Sequence, residues 1–184
     1  MQKVKGSVLK SRLDFVEEHF GEDEVQQVMA SLSAEDQEAL RKMLPSSWLS
    51  FEIGKRLDDA IVQVCGKGDP QFFEQLGVAS ADKNLTTLHS TFLTPGDPEA
   101  FLRKAPQIYE LYYQTGRRAW EKTGESEGYL TTYDAETFSA ADCLTVVGWY
   151  KRALAMCGAT TVEVEEEECR ALGGAVCRYR VRWE

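Results

Sequence analysis

The chain has 184 residues, a formal net charge of −9 and five cysteines, which fits one domain with room for a sizeable core. The acidic balance argues against nucleic acid as the main partner, since such binding needs clustered Lys and Arg and the cluster at Arg117 and Arg118 is small. No run is apolar enough to span a membrane and the start lacks a signal-peptide core, so the expected compartment is the cytoplasm, where an odd cysteine count speaks for metal binding or burial over disulfides.

The first two thirds read as helices. Val8, Leu9, Leu13, Val16 and Phe20 fall at helical spacing, and Gly21 stops the run. Ser33 is placed to cap a helix through "AEDQEALRKM", with Asp36 where a capping-box acid would sit. Pro45 breaks the pattern, and a helix is predicted from about Phe51 to Val64. "GDP" then occurs twice, at residues 68–70 and 96–98, each offering an Asp cap and a first-turn Pro. The first is expected to open a helix toward Phe92, the second one toward Thr115 that Pro106 kinks or divides.

The last third changes period. Residues 117–134 read as two short strands around a Gly-containing turn. Ser139 caps a helix, ended by Gly158, whose buried face should hold Cys143, Val146, Val147, Tyr150 and Leu154. "TTVEVEEEE" and "VCRYRVRW" form a second hairpin. The predicted fold is α+β: an N-terminal helical layer packed on a four-stranded, mostly antiparallel sheet, formed by two hairpins joined by a helix. One domain is expected over 1–184, with a mainly helical part at 1–116 and a hairpin–helix–hairpin part at 117–184.

Alternation assigns the faces of the last hairpin. Cys177, Tyr179, Val181 and Trp183 share one face, and Arg178, Arg180 and Arg182 the other. A turn centred on Gly173 and Gly174 puts Glu167 opposite Arg180 and Glu165 opposite Arg182, as a solvent-facing ladder. Glu166 falls on the apolar face with Val162 and Val164, where a carboxylate needs a partner. Cys177 faces the same side, and a bulge or wider loop would turn Cys169 there too. Cys143, in the first turn of the intervening helix, is the natural fourth member. Zinc takes four such ligands in a tetrahedron. The Cys-x7-Cys spacing is no standard zinc signature, so residue types and spacing leave two readings open: a zinc clip, or buried thiols.

These residues resemble the four-vinyl-reductase domain, of the superfamily that also holds heme-type nitric-oxide-binding domains and Bet3-type Golgi transport proteins. That domain's pattern is a Cys, a long gap, then Glu-x-x-Cys-x7-Cys; here it reads Cys143, Glu166, Cys169 and Cys177. The likeness covers mainly 117–183 and implies a structural zinc at these four positions. Nearly the whole chain also resembles a family of myxobacterial proteins, through "VKGSVLKSRLDFV", "LPSSW" and "IYELYYQTGRRAWEKTG"; that likeness implies a fold and no particular activity. The heme-type relatives need a proximal His. Since His19 and His89 lie in no matching context, no heme is expected.

The superfamily fold implies a hydrophobic pocket between helices and sheet. The apolar candidates for it are Tyr109, Tyr113, Trp120, Tyr129, Val147 and Val164, which otherwise fill the core. The expected function is a non-enzymatic sensor or carrier for a small hydrophobic molecule or acyl chain, with a structural zinc. The alternative is a protein-interaction module, homodimeric or with another protein partner, with Trp48 or Tyr112 on its contact surface. No phosphate-binding glycine loop is present and no His is placed to activate a Cys or Ser, so an enzyme is not expected.

Overall fold

The computed structural model describes residues 2–87, 89–135 and 139–184. A short strand β1 (Lys3–Lys5) leads into α1 (Gly6–Phe20), α2 (Glu22–Ala30) and α3 (Ala34–Lys42). Strand β2 (Trp48–Ser50) pairs antiparallel with β1 and leads into α4 (Phe51–Val64). There follow α5 (Phe73–Leu85), a 3-10 turn (Ser90–Phe92), α6 (Pro98–Leu102) and α7 (Ala105–Tyr112). Strands β3 (Arg117–Gly124) and β4 (Glu127–Tyr133), helix α8 (Ala140–Met156), β5 (Val162–Glu168), a 3-10 turn (Arg170–Leu172) and β6 (Cys177–Trp183) complete the order. The main sheet runs β3-β4-β6-β5, all pairs antiparallel. The architecture is α+β, as the change of sequence period predicts.

Local chemistry explains most boundaries. Gly21 ends α1 at φ 108°, a conformation that costs an L side chain. The hydroxyls of Ser33 and Ser139 accept from the amides of Asp36 and Asp142, capping α3 and α8. Asp97 caps α6 through the amide of Ala100, with Pro98 in its first turn. Pro106 lies in the first turn of α7, so the expected long helix is two. The first "GDP" behaves differently. Asp69 accepts from the Gln71 amide in a tight local turn, and α5 begins at Phe73 and ends at Leu85, short of Phe92.

One sheet face is buried. Register places Arg118 and Trp120 of β3, Leu130 and Thr132 of β4, Tyr179 and Cys177 of β6, and Glu166 of β5 on it. α8 lies against this face, and α5 crosses α8. At the crossing, a Cβ on Gly148 would overlap the Glu74 carbonyl, and one on Gly77 the Thr145 carbonyl. Glycines at both points let the two helix backbones touch, which fixes how the helical layer sits over the sheet. Leu130, Val146, Tyr150, Leu154, Tyr179 and Val181 form one apolar core there. Leu9, Val16, Leu57, Ile61, Phe73 and Leu76 form a second among the N-terminal helices. Among the described residues no helix is long and apolar enough to cross a membrane.

The last hairpin corrects the predicted ladder. The register is Glu163↔Arg182, Glu165↔Arg180 and Glu168↔Arg178, with an irregularity between Glu166 and Glu168. The turn is therefore centred nearer Leu172 and Gly173 than Gly173 and Gly174, with the irregularity in β5 absorbing one residue. The short 3-10 turn lies within it, and Gly173 stands at φ 96° as its C-cap. Arg180 still reaches Glu167 diagonally at 3.4 Å, while Arg182 pairs with Glu163 at 3.5 Å.

Candidate metal centre and ligand cavity

The bulge of β5 and the wide turn bring four donor side chains to one place. Cys143 comes from the first turn of α8, Glu166 from the inner face of β5, Cys169 from just after the bulge, and Cys177 from the start of β6. Their ligand atoms all lie within 4.8 Å of one another. The Cys143 sulfur is 3.6 Å from that of Cys177 and 3.8 Å from that of Cys169. An ion about 2.3 Å from each sulfur at tetrahedral angles sets the sulfurs roughly 3.8 Å apart. All three thiols are buried, and none is in a disulfide.

Electrostatics here is unsettled without a cation. Burial pushes the Glu166 carboxyl up to about 8, and its Oε1 is buried with no hydrogen-bond partner among the described residues. Sulfur contacts with Cys143 pull Cys169 down to about 6 and lower Cys177. Those same contacts, with burial, hold the Cys143 thiol well above its ordinary value. The Arg170 amide donates to the Cys177 sulfur at 3.4 Å, and the Arg118 guanidinium helps lower that thiol. An orphaned carboxylate oxygen among three converging sulfurs is a donor set that fits zinc.

A second feature lies further along α8. A cavity of about 60 Å³ is bounded by α1, α5, α7, β3 and α8, and Tyr109, Tyr112, Tyr113, Arg118, Trp149 and Tyr150 are among its lining. Two of the ligand candidates, Tyr109 and Tyr113, are therefore at the cavity. The other four are elsewhere. Val147 and Val164 line a separate recess with Glu166 and Leu172. Trp120 packs against Trp183, ring centres 6.0 Å apart. Tyr129 is on the outer sheet face, under the Arg178 guanidinium. Of the two aromatics placed on a contact surface, Trp48 is half-buried beneath the Lys5 ammonium and Tyr112 lines the cavity.

Between cavity and clip runs a buried polar network that sequence reasoning missed. Arg12 of α1 ion-pairs with Asp58 of α4 and, at 2.6 Å, with Asp142 of α8. Ser139 donates to Asp58 at 3.1 Å, and Tyr113 donates to Asp142 at 3.1 Å. Burial works against the Arg12 charge, but the two carboxylates hold it firmly protonated. Arg12 sits at helical spacing with Leu9 and Val16 on the buried stripe of α1, and that was the available signal. A second missed pattern, "GESEG" at 124–128, spells G-x-S-x-G. It forms the turn between β3 and β4, a strand–turn–strand context where a nucleophile elbow needs strand–turn–helix.

The architecture thus belongs to the class in which a helical layer covers an antiparallel sheet and leaves a pocket between them. Similar solved structures are H-NOX (heme-nitric-oxide-binding) proteins. An H-NOX protein from K. algicida in its Fe(II) unliganded form is 12% identical, with a TM-score of 0.75 over 98% of this chain and 96% of that one. An H-NOX protein from S. oneidensis in the Fe(II)NO state is 11% identical, with a TM-score of 0.69 over 98% and 99%. A third, in which porphyrin distortion modulates heme redox potential, is 14% identical with a TM-score of 0.68 over 98% and 99%. At these identities the likeness fixes the fold. No protein-family model matches the chain, and no curated protein matches it.

This overturns the expectation that heme is excluded: the structures this fold matches are heme proteins. The exclusion rested on the local context of two histidines, which does not report spatial neighbours. His89 is half-buried and edge-on to Tyr112, ring centres 5.6 Å apart, so it borders a cavity-lining residue. Burial lowers its pKa, which keeps the ring neutral. In the arrangement described, the cavity holds only about four to six water-sized atoms. A porphyrin does not fit it unless the helical layer parts from the sheet.

Proposed function

We propose that this chain is a non-enzymatic, small-molecule-binding sensor or carrier domain whose last hairpin is stapled to α8 by a structural zinc ion. Cys143, Glu166, Cys169 and Cys177 would hold the ion. Four protein ligands and no open position make it a structural rather than catalytic centre. One observation carries this reading: the Cys143 sulfur lies 3.6 and 3.8 Å from those of Cys177 and Cys169, all within 4.8 Å of the Glu166 carboxylate, which has a buried oxygen with no hydrogen-bond partner among the described residues. The likeness to the four-vinyl-reductase pattern, Cys…Glu-x-x-Cys-x7-Cys, supports the same four ligands. The cavity against α8, and the small-molecule-binding proteins that share the fold, support the sensor or carrier role.

The physical case for a clip is specific. β5 is an edge strand, and its end carries Glu165, Glu166, Glu167 and Glu168 in a row. That charge repels itself, and the wide turn after it buries little. A cation at its base ties the edge strand and the turn to the first turn of α8, and ligation energy becomes folding energy. The test is a thermal melt of freshly purified protein with and without a strong chelator. A drop of several degrees, reversed by added zinc, supports the clip. Identical melts contradict it.

A further inference from the structure

The cavity contains a buried cation, and among the described residues it has no carboxylate partner. Arg118 points inward from β3 and is 8% exposed. Its Nε donates to the Thr132 hydroxyl at 3.1 Å, and its guanidinium lies over the rings of Tyr109 and Tyr150. Asp58 and Asp142 are taken by Arg12, and among the described residues no carboxylate stands within ion-pair reach of Arg118. An unpaired buried cation is costly, and native proteins rarely keep one without a use. Two further groups belong to residues lining the same cavity: the buried Tyr112 and Tyr150 hydroxyls have no acceptor among the described residues, the Tyr150 oxygen being turned toward the Arg118 guanidinium. Burial raises both phenols, so both remain protonated donors. One cation without a carboxylate partner and two hydroxyls without an acceptor therefore belong to residues around one small space.

We propose that this cavity binds a short-chain carboxylate, with Arg118 as its cationic partner and Tyr112 and Tyr150 donating to its oxygens. This rests on the ligand-binding reading above and names the class of ligand. A planar guanidinium suits a carboxylate through paired N–H donors. The rest of the lining, including Ile108, Val146 and Trp149, is apolar and suits a short hydrocarbon tail. Volume sets the size. About 60 Å³ takes roughly four to six water-sized atoms, which matches acetate or propionate and leaves no room inside for a long acyl chain.

The test is calorimetric titration of the full chain with propionate and with propionamide, its neutral isostere. Propionate is expected to bind at least about tenfold more tightly, the usual scale of a charge-assisted hydrogen bond. Arg118→Met should abolish the preference and raise the melting temperature of the ligand-free protein, because it removes a buried charge that has no carboxylate partner; a purely structural arginine would give a lower one. Tyr150→Phe should weaken propionate severalfold, and it carries the test if Arg118→Met does not fold. Equal binding of acid and amide, or propionate binding that neither variant weakens, would overturn the carboxylate assignment while leaving the cavity a ligand site. No binding of either compound would overturn both readings.

Discussion

Two buried polar clusters flank the start of α8, and they are built on opposite principles. The Arg12 network is closed. Arg12 bridges Asp58 and Asp142, and Ser139 and Tyr113 donate to them, so each group has a hydrogen-bond partner across α1, α4 and α8, while burial pushes the Asp58 carboxyl up to about 6. The cysteine cluster is open. Three sulfurs and a carboxylate are all better acceptors than donors, they crowd within 4.8 Å, and an oxygen of Glu166 is left over. A polar cluster that satisfies itself ties a fold together; one with surplus acceptors calls for a cation. The same test picks out Arg118 at the cavity, a buried cation with no carboxylate partner among the described residues.

The contrast can be broken most forcefully at the clip. Cys177→Ser should cost on the order of 4 kcal/mol or more, the range reached when a structural metal is lost. For a chain of this length that is a melting-temperature drop of about 10 °C. The variant should also melt identically with and without chelator, since no ion is left to remove. Asp58→Ala should cost roughly 3 kcal/mol, because Arg12 loses one of its two buried carboxylates. Its chelator response should remain that of the parent protein, which separates the two clusters.

Protonation sharpens the comparison further. Without metal, Glu166 is pushed up to about 8 and Cys143 well above its ordinary value, so both carry protons near neutral pH. Zinc uptake must displace them, so affinity should rise with pH, roughly tenfold per unit for each proton released. Competition with a chromophoric chelator at pH 6.5 and 7.5 measures this; a flat profile would contradict these ligands. The smallest effect belongs to the outer ladder. Glu163→Ala removes an exposed pair with Arg182 and should shift stability by less than about 1 kcal/mol in a denaturant titration, less still at high salt.

Much of this was legible in the sequence, because it follows from local rules. Period assigned helices and strands, serine and aspartate caps set several helix starts, and strand parity put Glu166 and Cys177 on one face. What stayed hidden depends on distance in space. β1 and β2 are three residues each and pair across α1 to α3, too short for any alternation to show. The hairpin register turned on a 3-10 turn and a bulge, which composition does not announce. Arg12 and Asp58 are 46 residues apart, and neither has a local feature that predicts a buried partner. His89 looked unremarkable in "TLHSTFL" and borders Tyr112 only through the fold.

Elemental analysis paired with native mass spectrometry is the first experiment for a zinc ion held by Cys143, Glu166, Cys169 and Cys177. One zinc per chain is expected in freshly purified protein, with the three cysteines protected from alkylation until chelator is added. Metal-free protein that takes up no zinc, with those thiols reacting equally before and after chelation, would contradict it.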